Sequence, residues 1–360
     1  MTASDAAPPT AHVTAPEDSA DTKPTVTVVI PNWNGAQHLP VCIESLRQQS
    51  QKSVEIIVVD NASRDGSLEL LESYPEVRVL PQATNLGFTG ACNVGLQAAR
   101  GPIRVLLNND TEAHPDWLQT VIDALARHPE VGMVASKMLL FDRRDILHTA
   151  GDYVTPDGLA HNRGVWKQDI GQYDHRAYVF SACGGSAAYR AAMLDDIGLL
   201  DDDFFFSFED IDLAWRAQLA GWRCLFVPEA VVYHKLKASG GGATASYYDG
   251  RNRIYTLVKN YPSDMWHDHR RAILAAQWQL ISTAVKAWRG RAARATLRGV
   301  VAGIVGMPKM WRKRRAIQAK RQVDRIYLER LMQPPYEISL RDASDGSTPQ
   351  RGAKPDSDLV

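Results

Sequence analysis

Between residues 25 and 135 short β-branched runs alternate with amphipathic stretches, and this rhythm restricts the fold more than any other feature of the chain. The runs are VTVVI (26–30), VEIIVVD (54–60), VRVL (77–80), IRVLL (103–107) and VGMVA (131–135), with helix-like patterns near 37–49, 67–73, 89–99 and 115–127. Strands that are apolar along their whole length must be covered on both faces, as in a parallel sheet with crossover helices. An α/β doubly wound domain is expected, with its sites at the carboxyl ends of the strands. At 360 residues and 45% hydrophobic content the chain has enough apolar material for one large domain and an appendage.

After residue 137 the rhythm changes to short strands and loops punctuated by glycines. A helix near 209, the strand pieces CLFV (224–227) and AVVYH (230–234), and then basic amphipathic helices from 247 to 334 are predicted. The expected organisation is a disordered leader (1–24), an α/β domain (25–262), a basic helical extension (263–335) and a disordered tail (336–360). The leader has neither the basic start nor the apolar centre of a signal peptide. No apolar stretch reaches the roughly 20 residues that span a bilayer. Cys42, Cys92, Cys183 and Cys224 are scattered, which predicts reduced cytosolic thiols rather than a zinc site or disulfide framework. The formal charge of zero hides an asymmetry, since 286–330 holds fourteen Lys or Arg against Asp324 and Glu329, a net of +12. Such a segment attracts anionic surfaces. Trp288 and Trp311 favour a membrane interface over nucleic acid, with a self-packing helical tail or an oligomer contact as the alternative, and the expected place is the cytoplasm, peripheral to the inner face of the cell membrane.

The strand ends are polar. The first run ends in PNWNG (31–35), the second in DNASRDGS (60–67) and the fourth in NNDTE (108–112). An Asx side chain at one strand end is most simply a turn or cap, but three such ends in one sheet point to a site. Asp60 suits a ribose or base edge, and Asp110 an oxygen ligand for a divalent ion on a diphosphate. FSFEDIDLAWRAQLAGW (206–222) crowds Glu209, Asp210 and Asp212 behind an aromatic run. Ser207 is expected to cap the helix and Gly221 to end it, with acidic residues favoured in the first turn. Asp212 is expected to pair with Arg216 one turn on.

Together with NLGFTGACNVGL (85–96) and CGGSAAYR (183–190), these segments resemble the family 2 glycosyltransferases in order and spacing over 25–262, and most closely the rhamnosyltransferase-like branch. The resemblance implies a GT-A fold, an inverting mechanism, a nucleotide-diphosphate sugar donor, and Mg2+ or Mn2+. The family's DxD metal motif falls on Asn108, Asn109 and Asp110, so its first Asp is here Asn108, and His234 takes the position of the histidine that completes the metal site. Pro31, Asn32, Asn34 and Asp60 match nucleotide-sugar-binding positions, joined by Asn85, Gly87, Asn93 and Asn109. Asp210 matches the general base and Glu209 its neighbour, while Gly184, Gly185 and Ser186 lie in the acceptor loop, or form only a tight turn before a strand. Aromatics beside Asp210 would raise its pKa. Arg251 and Arg253 are open to phosphate contact or a surface role. The branch favours a deoxythymidine diphosphate-rhamnose donor, with UDP-linked galactose, glucose or N-acetylhexosamines open, and a lipid-linked or polysaccharide acceptor.

A dehydrogenase would need GxGxxG after the first strand, where PNWNG stands. An esterase would need GxSxG, where 184–188 reads GGSAA. A non-catalytic nucleotide-sugar-binding or scaffold protein would most easily lack Asp110 or Asp210, and both are present.

Overall fold

The computed structural model describes residues 23–235 and 242–332. The alternating region forms β1 (Val26–Asn32), α1 (Leu39–Arg47), β2 (Val54–Asp60), α2 (Ser67–Leu71), β3 (Val77–Pro81), α3 (Gly87–Ala98), β4 (Ile103–Leu107), β5 (Thr111–Ala113), α4 (Trp117–Arg127) and β6 (Val131–Leu140). The glycine-punctuated stretch supplies β7 (Leu147–Ala150), β8 (Asp152–Val154), β9 (Ala160–Asn162), β10 (Ala177–Val179), β11 (Ser186–Arg190) and α5 (Ala191–Ile197). A 3-10 turn (Asp202–Phe204) leads to α6 (Glu209–Leu219) and β12 (Arg223–His234). The chain ends in α7 (Gly242–Asn260), α8 (Ser263–Lys286), α9 (Arg291–Ala319) and α10 (Arg325–Leu331). Apart from Lys23 and Pro24 the expected leader lies outside the described residues, as does the whole expected tail.

Ten strands make one sheet in the order β10-β12-β6-β11-β4-β1-β2-β3, with β5 beside β12 and β7 beside β6. The strands β1 to β4 pair parallel, as do β6 and β12, while β11 enters antiparallel between β4 and β6. The continuous apolar runs are explained by the two cores. Val28, Ile30, Ile56 and Val58 pack with α1 and α4, whereas Val29, Ile57 and Val59 pack with α3 and α6. A Cβ on Gly95 of α3 would stand 2.2 Å from Val29 Cγ1, so glycine there lets the helix lie close on the sheet.

The structure differs from the sequence pattern at identifiable residues. The pieces expected at 224–227 and 230–234 form one strand, whose pairing with β6 shifts between Val227 and Val231. Pro228 falls in that shift, where its missing N–H costs no ladder bond. Ser207 does not cap α6: Phe208, with φ 68°, holds the cap position, and Ser207 Oγ donates to Asp249 Oδ1 at 2.5 Å. Gly221 does end the helix, with φ 87° and Trp222 N–H donating to Ala217 O in a Schellman arrangement.

Asp212 is fully buried. It pairs with Arg216 at 3.0 Å as expected, and also with Lys259 Nζ at 2.8 Å and Asn260 Nδ2 at 2.8 Å on α7. Burial alone would raise its pKa, but Lys259 and Arg216 hold it below the ordinary range. Lys259 also reaches Asp201, which accepts from Lys313 of α9 at 2.5 Å. Through Lys313, α9 is therefore docked on the turn that leads into α6. Gly299 of α9 sits where a Cβ would be 2.0 Å from Tyr247 O, so α7 and α9 cross at backbone distance. No helix among the described residues is long and apolar enough to cross a membrane.

Candidate active site

The carboxyl ends of β1 and β4, the end of β12 and the start of α6 surround a cavity of about 270 Å3 lined by Pro31, Phe88, Asn108, Asn109, Asp110, Cys183, Gly184, Gly185, Phe206, Ser207, Glu209, Asp210 and His234. An adjoining cavity of about 320 Å3 shares Pro31, Phe88, Asn109 and Phe206, and adds Asn32, Trp33, Asn61, Asn85, Gly87, Phe205, Thr244 and Ala245. The shared residues make the two cavities halves of one cleft.

In the first half, Asp210 Oδ2 accepts from Gly184 N–H at 2.9 Å. Burial pushes the Glu209 and Asp210 carboxyls above their ordinary range. The charge of Asp210 adds to the effect on Glu209, while N–H groups of Gly184 and Ile211 partly relieve Asp210. Glu209 Oε2 has no hydrogen-bond partner among the described residues. Asp152, which sequence reading missed, is a third acid: a carboxylate oxygen of Asp152, one of Asp210 and the Cys183 thiol lie within 4.8 Å of one another. Burial, and next the charge of Asp210, push Asp152 up to about 7. That trio has metal-ligand atom types, and burial pushes the Cys183 thiol well above its ordinary range.

On the opposite wall His234 Nε2 stands 3.2 Å from Asp110 Oδ1 and 3.5 Å from Asn108 Nδ2. Asn108 Oδ1 and Asp110 Oδ1 are buried without a hydrogen-bond partner among the described residues. Two orphaned oxygens and an imidazole nitrogen in one place fit a divalent cation. His234 Nδ1 lies 3.2 Å from Nδ1 of His148, a second residue sequence reading missed. Burial, and next His234, push the His148 pKa down to about 3, so that ring is neutral.

Five of the expected nucleotide-site residues line the cleft: Pro31, Asn32, Asn85, Gly87 and Asn109. Asn109 Nδ2 donates to Asn32 Oδ1 at 2.7 Å, joining the ends of β4 and β1. Gly87 has φ 75°, and a Cβ there would be 2.5 Å from Phe205. The other three lie outside the lining. Asp60 is fully buried, its oxygens taken by Asn32 Nδ2 at 2.9 Å and Ser63 N–H at 3.0 Å. Asn93 bonds Leu200 O at 2.8 Å and Asp202 at 2.7 Å, tying α3 to the start of the 3-10 turn. Asn34 is exposed, with φ 51°, and accepts from Arg64 N–H at 2.8 Å. In the expected acceptor loop Gly184 and Gly185 line the cavity, whereas Ser186 is buried against Ser136 Oγ at 3.0 Å. Arg251 binds the carbonyls of Asp203 and Phe204, and Arg253 binds Gln277, so neither lines the cleft. The aromatic and amide lining from Trp33, Asn61, Phe88 and Phe205 was not anticipated; Trp33 in PNWNG and the aromatic run at 204–206 were the available clues.

Residues 27–198 match the family model for glycosyl transferase family 2. That segment is a glycosyl transferase family 2 domain. Over 266 residues it is 25% identical to the N-acetylglucosaminyl-diphospho-decaprenol L-rhamnosyltransferase of Mycobacterium tuberculosis, covering 66% of this chain and 85% of that one. It is 30% identical over 234 residues to the uncharacterized protein y4gI of Sinorhizobium fredii, covering 61% of this chain but only 25% of that larger protein. Among solved structures, GalNAc-T7 with UDP, GalNAc and Mn2+ superposes with a TM-score of 0.53 at 16% identity, over 70% of this chain and 55% of that one. The mostly parallel sheet with its flanking helices is the GT-A fold of this family of glycosyltransferases.

The raised carboxyls have a measurable consequence. A buried Glu209 that holds its proton above the ordinary glutamate range binds more protons folded than unfolded, so its contribution to stability falls as pH rises from about 4 through its raised pKa. Glu209→Gln should melt close to wild type at pH 5 and above it at pH 8, by roughly 1 kcal/mol or more, one pKa unit being worth about 1.4 kcal/mol. A difference that stays flat between those pH values in thermal melts would contradict this electrostatic reading.

Proposed function

We propose that this family 2 member is an inverting glycosyltransferase that moves a sugar from a nucleotide-diphosphate donor to a hydroxyl of a surface-polysaccharide acceptor. The observation that carries the proposal is the convergence, in one cleft, of the buried Glu209 and half-buried Asp210 of α6 with a carboxylate, amide and imidazole set on the facing strand ends. In this reading the larger half of the cleft takes the nucleoside, with Trp33 and Phe205 offering faces for a base and Asn61 and Asn85 offering polar edges. Asp110, His234 and Asn108 would hold Mg2+ or Mn2+, which when bound neutralises the charge of the leaving diphosphate. Asp210 takes the proton of the acceptor hydroxyl as its oxygen attacks the anomeric carbon on the face opposite the diphosphate. Gly184 N–H orients the Asp210 carboxylate for that step, and its raised pKa brings its basicity nearer neutrality. Glu209 retains its proton more readily and serves to place the acceptor. GalNAc-T7, solved with UDP and Mn2+, supports the donor and metal classes, and the mycobacterial relative supports a rhamnose donor and a lipid-linked acceptor.

A lipid-linked acceptor would bring the enzyme to a membrane, at the inner face of the cell membrane in this reading. Lys309, Lys313, Lys320, Arg321 and Arg325 are ion-paired within the protein, which reduces the charge available for lipid. Lys286, Arg289, Arg291, Arg298, Arg312 and Arg315 form no ion pair among the described residues. They accompany Val301, Ile304, Val305 and Trp311, exposed on α9, and Leu274 and Trp278, exposed on α8. A basic, apolar outer face of this kind suits an anionic lipid surface, at roughly 1 kcal/mol per Lys or Arg.

Asp210→Asn should lower transfer on the order of 10² to 10⁴-fold, the range of general-base catalysis, while calorimetric donor affinity stays near wild type. Near wild-type transfer would remove Asp210 from the role, and absence of transfer by wild type with every donor would favour a binding protein. For the membrane, full-length protein should sediment with phosphatidylglycerol liposomes at low salt and be released as salt rises. Arg312→Glu combined with Arg315→Glu should weaken sedimentation and spare donor binding; indifference of wild type to these liposomes would exclude the lipid surface.

A further inference from the structure

From the contact between two buried imidazoles, we infer that His148 is a positioning residue that sets His234 in the form able to bind a metal ion. The inference rests on the metal reading given above. His148 belongs to β7, which pairs with β6 as Lys137 with Ala150, Met138 with Thr149 and Leu139 with Leu147. His148 is thus the extra residue of a β-bulge, unmatched on β6. Bulges beside active sites re-aim side chains, and this one brings the His148 ring to 5.0 Å from that of His234, at an interplanar angle of 45°. Both residues are buried, and their Nδ1 atoms are 3.2 Å apart.

Two ring nitrogens at that distance share one proton, since two lone pairs or two N–H groups would repel. If His148 Nδ1 carries it, His234 must carry its own proton on Nε2, 3.2 Å from Asp110 Oδ1, and offers no lone pair to an ion there. If His234 Nδ1 carries it, the Nε2 lone pair faces the same space as the orphaned oxygens of Asn108 and Asp110. Only the second arrangement presents a complete donor set, and it requires His148 to accept the hydrogen bond. No bond is made or broken beyond this placement of one proton: His234 donates through Nδ1–H and the His148 lone pair accepts. The acceptor also fixes the plane of the His234 ring, as outer partners of metal-bound histidines do.

The test is Mn2+ binding in the presence of dTDP, followed by the electron paramagnetic resonance of free Mn2+, so that no turnover is needed. His148→Phe, which keeps a ring but accepts no bond, should weaken Mn2+ binding about 10- to 100-fold, the usual effect of losing an outer partner. His148→Gln, whose amide can accept, should recover much of that loss. In a His234→Ala background His148→Phe should change Mn2+ affinity little, because the group it positions is gone; a role in packing alone would act in both backgrounds. Should the phenyl ring not fold, His148→Leu reads out the same loss. Wild-type Mn2+ affinity in the folded Phe or Leu variant, or an undiminished effect without His234, overturns the inference while leaving the metal reading intact. Asp110→Ala separates the two: if it binds Mn2+ as well as wild type, the metal reading itself fails, and the role of His148 with it.

Discussion

A carboxylate buried as fully as Asp212 is tolerated only when its charge is met, and the groups that meet it come from separate parts of the chain. Arg216 lies one turn along α6, Lys259 and Asn260 end α7, and Lys259 passes the connection to Asp201 and thence to Lys313 of α9. This cluster fixes the acid-bearing helix against α7 and α9. One end of α7 holds Asp212, and its other end contributes Thr244 and Ala245 to the cleft. The buried charge therefore sets the distance between the α6 acids and the wall formed by α7, and α7 is part of the site's framework.

The same helix controls the approach to α6. Phe205, Ser207 and Phe208 all have positive φ, a conformation that costs non-glycine residues energy and persists only where the surroundings enforce it. Asn252, fully buried on α7, donates to the carbonyls of Phe204, Phe206 and Ser207 at 2.9, 2.8 and 2.7 Å, and Arg251 also binds Phe204 O. These bonds hold the turn that sends Phe205 and Phe206 into the cleft and starts α6 with Glu209. Strain at the loop and charge at Asp212 together aim Asp210 at the cavity.

The sheet was legible because each central strand carries a short, mostly apolar run, and Asn32, Asn108, Asn109 and Asp110 stand at the ends of such strands. The helix bearing Glu209 and Asp210 was legible from its own periodicity and Gly221. His148 and Asp152 were not, because both lie in short strands between glycines, where no period marks an inward face, and a bulge decides where His148 points. Asp60 and Asn93 illustrate the opposite difficulty. Their residue types and positions suit ligand contact, but Asp60 spends its oxygens on Asn32 and Ser63, and Asn93 on the chain around Leu200. Sequence shows which polar groups sit at strand ends, and only tertiary structure shows which of them are already satisfied.

The central claim is that the bipartite cleft binds a nucleotide-diphosphate sugar together with a divalent ion. Thermal melting of the full-length protein with a panel of dTDP-, UDP- and GDP-sugars, each with Mn2+ and with chelator, tests it most directly. Binding to the folded state alone raises stability by about 2.7 kcal/mol when ligand is present at about 100 times its dissociation constant. The account predicts a clear rise in melting temperature for at least one nucleotide sugar with Mn2+, largely lost in chelator. Melting temperatures that no nucleotide sugar raises in the presence of metal would contradict it.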